Sequence, residues 1–177
     1  MYYRKFIEFL KEHGIYDEEV VKYYREHWEL FDYLDVEKRI NMGTNYIIRN
    51  GQLEEMRVVV PIMNNDITVL INVHEYIHVL TNYNKINHRA KIKTKDHEVL
   101  PIFYEKVYVK ENPTEELMEY HNLLNECIDD TPEEQYVLAL DISDKLMEDY
   151  DNQSIEQVNR KVKKLVFKDT IHKFINK

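Results

Sequence analysis

A single cysteine, Cys127, leaves this chain unable to close an internal disulfide, so its fold must rest on packing alone. A lone thiol is an ordinary core residue, and no nucleophilic role is assigned to it. Apolar runs are short. None approaches the roughly 18 residues of a membrane-spanning helix, and the N-terminus reads as a charged amphipathic helix rather than a secretory signal. The expectation is a cytoplasmic protein with no membrane partner. Positive charge is in deficit, with 24 Lys and Arg against 33 Asp and Glu, and the resulting net charge of −9 argues against a nucleic-acid binder. The local basic stretches Arg89 to Lys95 and Arg160 to Lys164 read as solvated faces.

Glycine and proline are also scarce, at three and four residues, which leaves few breaks in the pattern. Apolar residues recur at three- and four-residue intervals from Tyr3 to His13 and from Glu18 to about Ile40, predicting two helices with Gly14 closing the first and Asp17 opening the second. Further helices are predicted from Pro113-Thr114 to about Cys127, from the Thr131-Pro132-Glu133-Glu134 cap to about Tyr150, and from Ser154 to near Phe174. One β signal stands out. The runs Thr44 to Arg49 and Gln52 to Ile62 flank Asn50-Gly51, a two-residue hairpin turn. No internal repeat or low-complexity linker is present. With 44% apolar residues, the 177-residue chain can bury the core of one compact domain, mainly α with a small β element (α+β), over residues 1–177.

The most specific feature lies directly after that hairpin. Residues His74-Glu75-Tyr76-Ile77-His78 spell HExxH within an apolar helical stretch from about Asp66 to Asn82, behind an Asn64-Asn65-Asp66 capping cluster. Side chains at i and i+4 stand on the same helix face, so His74 and His78 can reach one Zn²⁺ at about 2.0–2.1 Å. Glu75 projects beside that position, where it can take a proton from a metal-activated water. A shuffled chain with 8 His and 21 Glu would contain the pattern with a probability of roughly 4%. The apolar context raises its weight, because two histidines and a glutamate in a buried helix need partners. A pair of hydrogen-bonded core histidines with Glu75 at the surface would leave the spacing unexplained.

A catalytic zinc site needs a third protein ligand and an open position. The metzincin pattern would require Gly at 81 and His at 84, where the chain has Thr81 and Asn84. The best candidate is Glu98, at the start of a second helical stretch Asp96 to Glu105, with His88, His97 and Glu105 as alternatives.

With these residues the chain resembles the gluzincins, zinc peptidases with an HExxH helix and a glutamate ligand on a following helix. The segment Glu98-Val-Leu-Pro101-Ile-Phe-Tyr-Glu105 is similar to the ligand helix of the thimet oligopeptidase and oligoendopeptidase F family. The resemblance implies a zincin-like domain with Zn²⁺ on His74, His78 and Glu98, Glu105 orienting a histidine, and Glu75 as general base in peptide-bond hydrolysis. It also implies an edge strand that binds substrate by main-chain hydrogen bonds, for which Val58-Val59-Val60 is the expected segment. A tyrosine or histidine near the C-terminal helices would stabilise the oxyanion, with Tyr136 and His121 as candidates and Tyr120 and Tyr150 as rivals. The expected partner is a peptide or protein substrate. A chain of this length cannot build a deep channel by itself, so a second copy or another partner would supply its walls. Two further readings remain open: a regulatory protease that cuts one protein partner, like the mobile-element metallopeptidases that cleave repressors, and a zincin-fold binding protein without turnover. Intact Glu75 weighs against the latter.

Overall fold

A computed structural model describes residues 2–32, 42–63, 65–88, 98–129 and 134–153, together with 157 and 160. The chain is mainly helical with one small mixed sheet. Its elements are α1 (Tyr2–Glu12), α2 (Glu18–Glu26), β1 (Trp28–Asp32), β2 (Gly43–Arg49), β3 (Gln52–Ile62), α3 (Asn65–Asn82), α4 (Val99–Glu111), α5 (Glu115–Asp129) and α6 (Glu134–Asn152). A short 3-10 turn, Tyr83–Lys85, follows α3. No helix among the described residues is long and apolar enough to cross a membrane. The helix expected from Ser154 to Phe174 falls almost entirely outside the described residues.

The second helix is shorter than its periodicity suggests. Asp17 caps it as expected, accepting from the backbone N–H of Glu19 and Val20, but it ends at Glu26. The chain then turns into β1, which pairs in parallel with β3 from Trp28↔Val58 to Asp32↔Ile62. The apolar residues Trp28, Leu30 and Phe31 satisfy a helical and an extended spacing equally well. A free row of hydrogen-bonding groups on β3 decides between them, because those groups need partners.

The Asn50-Gly51 hairpin forms as expected. Both turn residues have positive φ, 52° and 73°, the conformation a two-residue type I′ turn requires. The strand order is β1-β3-β2, which corrects one expectation: Val58, Val59 and Val60 belong to the central strand. Their main-chain groups pair with β1 on one side and β2 on the other, and Val58 and Val60 are fully buried. They cannot receive a substrate strand. Among the described residues, β2 forms the edge on the hairpin side.

Helix α3 runs through the middle of the molecule, packed on α1, α2, α4 and the sheet. It is apolar on nearly every side, with Val69, Leu70, Val73, Ile77 and Val79 among its buried residues. Tyr24, Tyr76 and Phe6 form a ring cluster with centroids 5.7–5.8 Å apart, joining α1, α2 and α3. Several of the fourteen tyrosines are thus core residues whose hydroxyls need internal partners. Tyr24 donates to Asn72 Oδ1 at 2.8 Å. Tyr76, inside the HExxH motif, points away from the histidines. It donates to the Ile15 carbonyl at 3.1 Å and accepts from the Asp17 N–H at 3.2 Å.

Removing the Tyr76 hydroxyl strands two backbone groups at the α1–α2 junction. Tyr76→Phe is expected to lower the unfolding free energy by about 1–2 kcal/mol in urea denaturation. A variant as stable as the wild type would show that the hydroxyl does not tie α3 to this junction.

Candidate metal centre

The two histidines, one helical turn apart on α3, turn their Nε2 atoms toward each other at 3.0 Å. The third donor comes from the start of α4. Glu98 is the N-cap residue of that helix, and its carbonyl accepts from Ile102 N–H at 3.0 Å. Pro101 fits in the first turn because the N–H it lacks would have had no intrahelical acceptor. Close packing of α3 on α4 brings Glu98 Oε2 within 3.2 Å of His74 Nε2 and 3.3 Å of His78 Nε2.

These three atoms mark out a triangle with edges of 3.0, 3.2 and 3.3 Å. Ligands about 2.0–2.1 Å from a tetrahedral ion lie about 3.3 Å from one another, so the triangle matches one face of a zinc coordination shell. Among the described residues this is the one group of His, Cys, Asp or Glu side chains arranged to hold a metal. His88, on an exposed turn beside β3, is outside the group. His97 lies outside the described residues.

Glu105 stands two turns after Glu98 on the same stripe of α4. Its Oε1 lies 3.0 Å from His74 Nδ1. The carboxylate is thus placed against Nδ1, with the ring's Nε2 turned toward the triangle. Glu105 is therefore placed to orient the His74 ring and does not join the triangle itself.

The electrostatics agree with this geometry. Burial alone would lower the His74 pKa, but Glu105, then Glu98 and Glu75, reverse the effect and hold it well above the ordinary value. The field of these carboxylates favours positive charge at the triangle, and a divalent cation would answer the same field.

Glu75 is itself buried, at 8% exposure. Thr44 on β2 donates to its Oε2 at 2.7 Å. Gly43 has φ +108°, and a Cβ there would lie 3.7 Å from Glu75 Oε1, so the backbone of β2 passes close over the carboxylate. Two residues along the same strand face, the Tyr46 hydroxyl accepts from Asn82 Nδ2 at 3.3 Å. Burial first, then the charges of Glu75 and Glu98, raise the Tyr46 pKa and keep the phenol neutral. Gly43, Thr44, Tyr46 and Asn82 were not singled out by sequence. The signals that could have found them are the i, i+2 alternation of β2 and the i, i+4 step from His78 to Asn82.

Among the described residues, the contacts of the expected oxyanion candidates are with the core and with parts of α4 other than Glu98. His121, on α5, is buried beside Glu105 and lines a cavity of about 660 Å³ bounded by α4, α5 and α6. Tyr150 on α6 donates to Glu111, at the far end of α4 from Glu98. Tyr120 is partly buried against the core. The Tyr136 side chain lies outside the described residues. No family model matches the chain, and comparison with curated proteins and solved structures finds no match.

His121 is depressed below its ordinary value of 6.5, because burial lowers it and Lys106 adds to this, while Glu105 opposes them. A histidine held neutral in the fold contributes stability that is present above the unfolded pKa and declines as pH falls below it. His121→Gln should therefore flatten the fall in stability as pH drops below about 6.5. Melting curves across that range test this, and an unchanged slope would place the imidazole in contact with water.

Proposed function

We propose that the chain is a zinc-dependent peptidase with a zincin-like domain, using His74, His78 and Glu98 as metal ligands. The observation that carries the reading is the triangle of 3.0–3.3 Å edges, with Glu75 near enough for its charge to act on His74. When bound, the ion would supply Lewis acidity, lowering the pKa of a water and polarising the scissile carbonyl. Glu105 holds His74 in its ligating tautomer. Glu75 accepts the proton of the attacking water as the new C–O bond forms, then passes it to the leaving amine as the C–N bond breaks. Burial of Glu75 strengthens its role, because a proton acceptor shielded from bulk water keeps its orientation.

A substrate in extended form suits the edge of β2 better than β3, whose two sides are already paired. Its N-terminal end, at Gly43 and Thr44, lies against Glu75, so a peptide running along that edge would bring its backbone to the base. Tyr46, neutral and close to Glu75 and Glu98, is a candidate donor to the carbonyl oxygen.

Metal analysis by mass spectrometry on the wild type, Glu98→Ala and Glu75→Gln tests the reading, together with turnover on a mixture of internally quenched peptides. About one zinc per wild-type chain is expected, with marked loss in Glu98→Ala. Glu75→Gln should keep its zinc and lose turnover by about 100-fold or more. Full activity in Glu75→Gln would falsify the mechanism. Cleavage of many short peptides would indicate an oligopeptidase, whereas cleavage of a single folded partner would indicate a regulatory protease.

A further inference from the structure

We infer that Thr44 is a positioning residue for the general base, an inference that rests on the hydrolase reading above. A hydroxyl has one proton to give. Thr44 Oγ1 lies 2.7 Å from Glu75 Oε2 and 3.4 Å from the Glu75 carbonyl, so the shorter contact is the hydrogen bond. The donor is charge-assisted and sits in a part-buried setting, where such bonds are strong.

The position of Thr44 is fixed independently of Glu75. Its backbone pairs with Val58 and that of Gly43 with Val59 on the central strand, so the hydroxyl is presented by the sheet and not by a mobile loop. Gly43 supplies the positive φ of +108° with which β2 begins beside the carboxylate, a backbone conformation that a side chain would strain. Glu75, in turn, belongs to a helix whose rotation is held by its neighbour Tyr76, about 100° around the axis, through the bond to the Ile15 carbonyl.

A carboxylate has two oxygens, and the hydrolytic role needs only one of them to exchange protons. Thr44 occupies Oε2. Among the described residues no donor is placed on Oε1. The bond would therefore divide the work within one side chain: Oε2 is anchored to the sheet, which leaves Oε1 to exchange protons with the reacting water. Without the anchor the carboxylate could turn about its final torsion, which is soft in glutamate, and spend part of its time misaligned. The consequence falls on the chemical step more than on substrate binding, because misorientation of a base affects the transition state.

The test compares Thr44→Val, which keeps the shape and removes the donor, with Thr44→Ser, which keeps the donor. Zinc-loaded proteins are assayed on the internally quenched peptide mixture, and crystal structures of the wild type and both variants are determined. Thr44→Val is expected to retain zinc, lose about 10-fold in kcat with little change in KM, and show the Glu75 carboxylate rotated from its wild-type position. Thr44→Ser should restore both kcat and the carboxylate position. Wild-type kcat in Thr44→Val, equal losses in the two variants, or an unmoved carboxylate in Thr44→Val would each overturn the inference. Failure of the hydrolase reading shows separately, as an inactive wild type or an active Glu75→Gln. In that event the carboxylate position still decides whether Thr44 orients Glu75.

Discussion

The rest of the structure depends on the burial of charge on an otherwise apolar helix. Helix α3 carries His74, Glu75 and His78 into the centre of the molecule, where an uncompensated ion costs on the order of several kcal/mol. The charged groups are answered from two elements, α4 and β2. The start of α4 brings Glu98 to the histidines, the next two turns bring Glu105 to His74, and the edge strand brings Thr44 to Glu75. None of these partners adjoins the motif in sequence. The packing of α4 and β2 on α3 is therefore tied to the same contacts that shape the site.

The compensation is incomplete by design of the residue set. Glu75, Glu98 and Glu105 gather negative charge around the triangle, and Glu105, Glu98 and Glu75 together hold the His74 pKa above its ordinary value against the opposing effect of burial. A proton and a metal ion then compete for the same field. Such a site favours a cation over any neutral or anionic occupant, whatever chemistry follows.

Much of this was readable in advance where the cause was local. Asn50-Gly51 specified its turn because few residues other than these accept two successive positive φ values. The His74–His78 pairing followed from helical geometry, Glu98 from its place at the start of a second helix, and Glu105 from the resemblance of the Glu98–Glu105 segment to an oligopeptidase ligand helix. Nonlocal facts were out of reach. Trp28 to Asp32 fitted a helix until its pairing with β3, some thirty residues on, made it a strand. Val58 to Val60 could not be distinguished as central or edge without knowing that neighbour. The Thr44–Glu75 bond spans 31 positions and has no signature in either segment alone. The oxyanion assignments depended on C-terminal helices whose packing the sequence did not reveal: His121 lies beside Glu105, whereas Tyr150 pairs with Glu111 at the far end of α4.

Tyr76 bears on a different question, that of how a helix with no polar face chooses its orientation. Burial of Val69, Leu70, Val73, Ile77 and Val79 would be nearly as complete at another angle about the helix axis, so the hydrophobic effect alone leaves that angle weakly determined. The hydroxyl of Tyr76 at the α1–α2 junction and the amide of Asn72 on Tyr24 break this degeneracy like a key in a slot. Polar groups remote from the histidines thereby decide which way the histidines point. A redesign that replaced them with well-packed hydrocarbons could yield a stable protein in which His74 and His78 no longer faced Glu98.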